Sequence, residues 1–204
     1  MSATIYIVVD DEAVRDSLDL LLASVGHHTR TYASGAAFLS ALEADGAGVA
    51  VVDVRMPEMD GLAVQRRLNE LGQRLPVVLI TGHGDVTMAV AAMKAGAVDF
   101  VEKPFTDEAI IDAGDRALAR TGGNAGQPDL AAASERLASL TPREYEVLTE
   151  LVAGHANKVI AHHLSISPRT VEIHRARVMD KMGARSLSQL IRQALAVGID
   201  PPSG

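Results

Sequence analysis

Over the first 120 residues, short apolar runs alternate with amphipathic stretches of 3.6-residue period. Runs at 5–9, 28–32, 49–52, 77–81 and 98–101 predict strands, and the stretches between and after them (13–25, 36–42, 62–71, 86–95 and 108–119) predict helices. The first helix sets Val14, Leu18, Leu21, Leu22 and Val25 on one face and stops at Gly26. Ser34 and Asp85 suit helix N-caps, and Gly96 a C-cap. Continuous β-branched runs such as Val77-Val78-Leu79-Ile80 suit a parallel sheet covered on both faces. Five βα units in series predict a doubly wound α/β domain, whose polar crevice lies at the carboxyl ends of its strands.

The pattern breaks at 121–128, which holds three Gly and one Pro in eight residues and reads as a linker. An alanine-rich stretch at 129–137 suits a short helix leading into a purely helical region. Helices are expected at 142–153, 158–164, from Pro168 to about Met182, and at 187–197, with Ser167-Pro168 supplying an N-cap and a first-turn proline. The domain plan is therefore an α/β domain over 1–120, a linker over 121–138 and an all-α domain of four helices over 139–204.

Composition narrows the classes. The 204 residues are 48% apolar, enough for two cores. The absence of Cys excludes disulfides, thiolate metal sites and a Cys nucleophile. No apolar run approaches the roughly 18–20 residues of a membrane helix, and Met1–Asp10 lacks a signal-peptide pattern, so a cytoplasmic protein without membrane contact is expected.

Asp10 and Asp11 follow strand one, Asp53 ends strand three, Thr81 ends strand four and Lys103 follows strand five. A doubly wound sheet gathers these strand ends into one crevice. Two carboxylates beside a hydroxyl and a lysine can handle a phosphoryl group with a divalent cation, and hard oxygen ligands suit Mg²⁺. Lys103-Pro104 is an X-Pro bond where a cis peptide would aim the lysine inward. A haloacid-dehalogenase-like phosphatase usually needs a second Asp two residues after the first, where this chain has Arg55. A dinucleotide fold fits worse, since Thr81-Gly-His-Gly-Asp85 has only G-x-G and follows strand four.

Asp53-Val-Arg-Met-Pro57, Asp60-Gly61, Thr81-Gly-His-Gly-Asp85, Ala92-Met-Lys-Ala-Gly-Ala97 and Glu102-Lys-Pro-Phe105 resemble the receiver domain of FixJ-type response regulators, a flavodoxin-like fold. The resemblance implies that Asp53 is the phosphoacceptor for a sensor histidine kinase. Asp10, Asp53 and the backbone carbonyl of Arg55 would hold Mg²⁺, Thr81 and Lys103 would bind the phosphoryl group, and Phe100 would be an aromatic switch that turns inward. Receivers usually carry adjacent acids six and five residues before the arginine matching Arg15; here those positions are Val9 and Asp10. Val9 cannot hold a metal-bound water, so weakened Mg²⁺ binding and slower phosphorylation of Asp53 are expected. An alternative is a degenerate receiver whose DNA binding is independent of phosphorylation.

The net charge of −7 hides a division. Residues 1–120 carry 10 basic and 18 acidic side chains, residues 121–204 carry 9 and 8, and Ser165–Arg192 alone carries +4. A basic helix after a short helix and a tight turn is the footprint of a helix-turn-helix DNA reader. On that helix Val171, Val178 and Met182 form a core stripe, with His174 packed beside it. Arg169, Glu172, Ile173, Ala176 and Asp180 face away, Ile173 suiting a thymine methyl and Glu172 cytosine N4. Arg175, Arg177 and Lys181 suit phosphates. His162-His163 reads as surface, because adjacent helical side chains diverge by about 100°.

Leu140-Thr-Pro-Arg-Glu144, Asn157-Lys158, Ile160-Ala161, Ser167-Pro-Arg-Thr-Val-Glu172, His174-Arg175 and Lys181-Met182 resemble the LuxR-type DNA-binding domain. The resemblance implies a recognition helix that includes Thr170, and often dimer contacts from the last helix. Taken together, the two resemblances imply a non-enzymatic transcriptional activator. It would dimerise on phosphorylation, bind double-stranded DNA and engage RNA polymerase. The FixJ likeness further implies a haem-based oxygen-sensing kinase and microaerobic or nitrogen-fixation genes.

Overall fold

A strand covered on both faces must be apolar at nearly every position, and β4 (Val77–Thr81) is buried throughout. In the computed structural model, which describes residues 3–42, 47–82, 86–121 and 130–199, it lies in a five-stranded parallel sheet with β1 (Thr4–Val8), β2 (His28–Tyr32), β3 (Gly48–Asp53) and β5 (Asp99–Glu102). The order is β2-β1-β3-β4-β5. β3 is likewise buried along its length, whereas the edge strand β2 is mostly exposed, which is why it tolerates His28 and Arg30. From β1 the chain moves outward to β2 and then crosses to β3 on the other side. That reversal opens the crevice where β1 and β3 end.

The register pairs Val8 with Val52. Ile5, Ile7, Val49, Val51, Val78 and Ile80 share one face and pack on Leu18 and Leu22 of α1 (Glu12–Ser24) and on Ile110, Ala113 and Ala117 of α5 (Asp107–Thr121). Val9 belongs to the same core and is fully buried. On the other face Tyr6, Tyr32 and Phe38 form an aromatic cluster, Phe38 coming from α2 (Gly35–Ala41). Side chains cap the helices that follow β1, β2 and β3: Asp11 accepts from the Val14 amide at 3.1 Å, Ser34 from Ala37 at 3.2 Å, and Asp60, at the start of α3 (Gly61–Glu70), from Ala63 at 2.6 Å. The expected cap Asp85 and residues 122–129 of the expected linker lie outside the described residues.

The chain divides into two compact units, Met1–His83 with Ala95–Ala125, and Gly84–Lys94 with Gly126–Gly204. The second contains α4 (Val86–Lys94), α6 (Leu130–Ala138), α7 (Pro142–Val152), α8 (Asn157–His163), α9 (Pro168–Met182) and α10 (Leu187–Ala196). α6 falls inside the segment expected to be linker. Its Ala133 is buried, and Arg136 Nη1 donates to the Met182 carbonyl at 3.3 Å, at the end of α9. Val147, Leu148, Leu151 and Val152 of α7 pack with Ile160, Val171, Val178, Met182, Leu190 and Ile191 in the core of this unit. Thr141 and Glu144 form a capping box at the start of α7. The turn between α8 and α9 passes through Ser165 at φ 53, and Ser167 caps α9 by accepting from the Thr170 amide at 3.1 Å.

Candidate functional site

The crevice is built from strand ends. Asp53, the last residue of β3, is buried, and both of its carboxylate oxygens are engaged. Oδ1 accepts from the Arg55 amide at 3.0 Å, and Oδ2 accepts from Lys103 Nζ at 2.6 Å. The Lys103–Pro104 peptide is cis. Lys103 is also fixed through its backbone, its amide donating to the Thr81 carbonyl at 2.7 Å, which sets β5 against the end of β4. Thr81 is fully buried, and its hydroxyl makes a long 3.4 Å contact with the Gly82 carbonyl. A hydroxyl so weakly held can reorient toward an incoming oxyanion. Gly61 presses on the site from α3, where an added Cβ would lie 2.6 Å from the Asp53 carbonyl. Any side chain there would displace the turn that follows Asp53.

The Asp10-Asp11 doublet splits into two roles. Asp11 caps α1, whereas Asp10 stands exposed at the end of β1. Arg15 closes that turn, its Nη1 donating to the carbonyls of Val9 at 2.8 Å and Asp10 at 3.1 Å. Val9 stands one rung past the Val8–Val52 pair, beside Asp53, and turns into the apolar core. Asp10 and Asp53 supply hard oxygen donors of the kind Mg²⁺ takes, but Val9 contributes an apolar wall where a third carboxylate would fit. The donor set suits Mg²⁺, which receiver domains generally bind, but lacks at Val9 the acid that would hold a metal-bound water.

Phe100, expected to act as the switch, is buried, 4% exposed. The preceding Asp99 was not legible as a site residue. Its fully buried carboxylate receives Arg116 Nε at 3.0 Å and Nη2 at 2.9 Å on Oδ2, and the Phe100 amide at 2.9 Å on Oδ1. The pair ties β5 to α5 at the residue before Phe100.

On α9, Arg169, Glu172, Ile173, Ala176 and Arg177 are exposed, and Val171, Val178 and Met182 are buried. An isoleucine 47% exposed on a helix with its own core stripe is free to meet another apolar group. Thr170 is half-buried, its hydroxyl 2.8 Å from that of Ser167. Arg175 is half-buried, with a long 3.5 Å contact to Asn157 Oδ1. His174 is half-buried, and its Nδ1 is buried without a hydrogen-bond partner among the described residues.

Lys181, expected to meet phosphate, is also held inside the fold. Its ammonium lies 2.7 Å from Glu144 Oε2 and 3.1 Å from the Ser139 carbonyl, and so points back at α7. The physical reason is that Glu144, 3% exposed, needs a counter-charge inside the fold. Hydrogen bonds from Lys181 and then from the Thr141 amide hold the Glu144 carboxyl down at about 2.

Comparison with known proteins agrees with both halves. The family model for the response regulator receiver domain matches residues 5–115, and that for bacterial regulatory proteins of the luxR family matches residues 138–194. The transcriptional regulatory protein FixJ of Rhizobium meliloti (strain 1021) is 49% identical over 201 residues, covering 97% of this chain and 98% of that protein. The response regulator protein TodT of Pseudomonas putida is 42% identical, covering 94% of this chain and 85% of that protein. The crystal structure of full-length FixJ from B. japonicum superposes with a TM-score of 0.57 at 43% identity, covering 98% of this chain and 99% of that one. These relatives are transcriptional regulators rather than enzymes, and their architecture implies a histidine kinase and DNA as partners. No described helix is long and apolar enough to cross a membrane. With a receiver crevice at one end of the sequence and a basic helix in a luxR-family match at the other, this chain belongs to the FixJ-like two-component response regulators that carry a LuxR-type DNA-binding domain.

Proposed function

We propose that Asp53 accepts a phosphoryl group from the kinase's phosphohistidine and that this switches the protein to a DNA-binding homodimer that recruits RNA polymerase. The contact between Lys103 and Asp53 across the crevice carries the reading. A carboxylate oxygen of Asp53 attacks phosphorus, the P–N bond breaks, and its electron pair returns to the imidazole nitrogen. Lys103 balances the added charge, and the Thr81 hydroxyl donates to a phosphoryl oxygen. Mg²⁺, held by Asp10, Asp53 and the Arg55 carbonyl, would neutralise the remaining phosphoryl oxygens. Phe100, one residue past the Asp99–Arg116 pair, turns further inward as the switch residue.

On DNA, Ile173 and Glu172 read base edges, with Ala176 leaving room for the approach, while Arg169, Thr170, Arg175 and Arg177 meet the backbone. The domain boundaries that follow are a receiver over 1–120 and a reader over 139–204, with α6 docked on the reader. The FixJ likeness supports a haem-based oxygen-sensing kinase and microaerobic or nitrogen-fixation genes as the finer proposal. Constitutive DNA binding by a degenerate receiver is the weaker reading, because Asp53, Thr81 and Lys103 all stand at the crevice.

The test is treatment of the full chain and of Asp53→Asn with a small phosphodonor. Intact mass, size-exclusion chromatography and DNA affinity are then read together. The wild type should gain one phosphoryl group, dimerise and bind DNA more tightly, and Asp53→Asn should do none of these. Equal phosphoryl uptake by Asp53→Asn would overturn the assignment.

A further inference from the structure

Three side chains of the reader unit converge at the junction of α7 and α8. Glu150 lies in the last turn of α7. The chain then reverses through Gly154 at φ +86, a left-handed conformation that favours glycine, and brings His155 back over Glu150. His155 Nδ1 lies 2.7 Å from Glu150 Oε2, and His163 Nδ1, from the last residue of α8, lies 2.8 Å from the same oxygen. The two rings stand edge to face, 5.0 Å apart. Leu151, Val152 and Ile160, all essentially buried, fix the two helices behind them.

We propose that Glu150, His155 and His163 form a binding site for a divalent transition-metal ion of the Zn²⁺ class. The convergence is the first argument. A carboxylate offers two oxygens and about four lone-pair positions, so two histidines seeking hydrogen bonds can take one oxygen each. Here both Nδ1 atoms meet at Oε2, and one donor atom from each residue falls within 4.8 Å of the other two. The donor set is the second argument. Two imidazoles and a carboxylate are the three-ligand complement of open zinc sites, and nitrogen donors discriminate against Mg²⁺.

Geometry is the third argument. Zn²⁺ at about 2.0–2.1 Å from each ligand atom in a tetrahedral arrangement sets those atoms about 3.3 Å apart. The present separations of 2.7 and 2.8 Å need open by only about half an ångström, within reach of side-chain rotation. The side chains of His155 and His163 are 36% and 43% exposed, which provides an entry path and leaves the fourth position to water. His162, with its ring 6.3 Å from that of His163, is not part of the converging set. A bound ion joins the end of α7 to the end of α8, the helix against which the recognition helix packs.

The test is calorimetric titration of Zn²⁺ into the untagged, chelator-stripped full chain. The wild type and His162→Gln should each show one tight event, as should Asp53→Asn, which removes the receiver's own carboxylate. His155→Gln and His163→Gln should weaken that event by about 100-fold or more, since loss of an outer partner alone costs roughly 10–100-fold. No Zn²⁺ uptake by the wild type, unchanged uptake by both histidine variants, or loss of uptake in Asp53→Asn would each overturn the site. If a histidine variant fails to fold, Co²⁺ added to the wild type decides. The intense visible bands of a four-coordinate ion support the site, and the weak spectrum of a six-coordinate ion refutes it.

Discussion

Replacing Val9 with Asp puts a carboxylate where the core now holds an isopropyl group, and the structure gives the size of the response. Val9 is fully buried, so losing its apolar burial costs about 1.5–3 kcal/mol. Parallel strands lie about 4.8 Å apart, so the new carboxylate sits roughly 5 Å from Asp53; at an effective dielectric of about 20 the repulsion is about 3 kcal/mol. Lys103 already neutralises part of the Asp53 charge, which leaves a total cost of about 3–5 kcal/mol in metal-free protein. A cation between the carboxylates removes the repulsive part, and the roughly 1.5–2 kcal/mol that remains after the Lys103 offset corresponds to about ten- to thirtyfold tighter Mg²⁺ binding. Urea unfolding with and without Mg²⁺ measures the first effect, and calorimetric titration the second. The chain has no Trp, so far-UV circular dichroism is the practical unfolding signal. Val9→Asp should unfold earlier than wild type without Mg²⁺ and recover only the repulsive part of the difference with it, the lost burial remaining. Equal Mg²⁺ affinities for the two proteins would refute the reasoning, and with it the idea that Val9 is what limits the receiver's metal site.

Four further outcomes follow from particular side chains. The folded-state pKa of Glu144, about 2, lies below its ordinary 4.5, so the unfolded chain takes up the proton first as pH falls; the contribution is whole above 4.5 and gone near 2. The stability gap between wild type and Glu144→Gln should therefore narrow across that window in acid denaturation, and a constant gap would contradict the assignment. Lys181→Gln should lower the melting temperature without changing the salt dependence of DNA binding. Arg177→Ala should leave melting unchanged and reduce the salt slope by about one. Gly61→Ala should destabilise the receiver by about 1–3 kcal/mol in chemical denaturation, because its Cβ meets the Asp53 carbonyl at 2.6 Å.

What the sequence discloses tracks how local each signal is. β4 was legible because burial on both faces leaves an uninterrupted apolar run, and the caps at Ser34 and Ser167 because capping acts over three residues. β5 begins at Asp99, one residue later than the apolar run implied, and that aspartate is buried because Arg116, 17 residues away, meets it. The same distance problem hid the role of Lys181, whose partner lies 37 residues earlier; helix periodicity alone placed it with the phosphate contacts. His163 was dismissed as half of an adjacent pair that diverges, which is true of His162 and His163. Its real neighbours, Glu150 and His155, come from the preceding helix and the turn after it. At the crevice, strand-end placement foretold the meeting of Asp53 and Lys103, because parallel-sheet topology brings such ends together whatever their separation.

The docking of α6 has a bearing on how regulators of this kind are assembled by gene fusion. The luxR-family match begins at residue 138, yet the folded reader begins earlier, with a helix whose Arg136 closes the carbonyl end of the recognition helix. A reader exchanged between receivers at the motif boundary would arrive without that clasp. Recombination within the glycine-rich stretch before Leu130 would transfer it whole. The seam that would keep the reader whole is thus set by a single arginine two residues upstream of the boundary that sequence similarity marks.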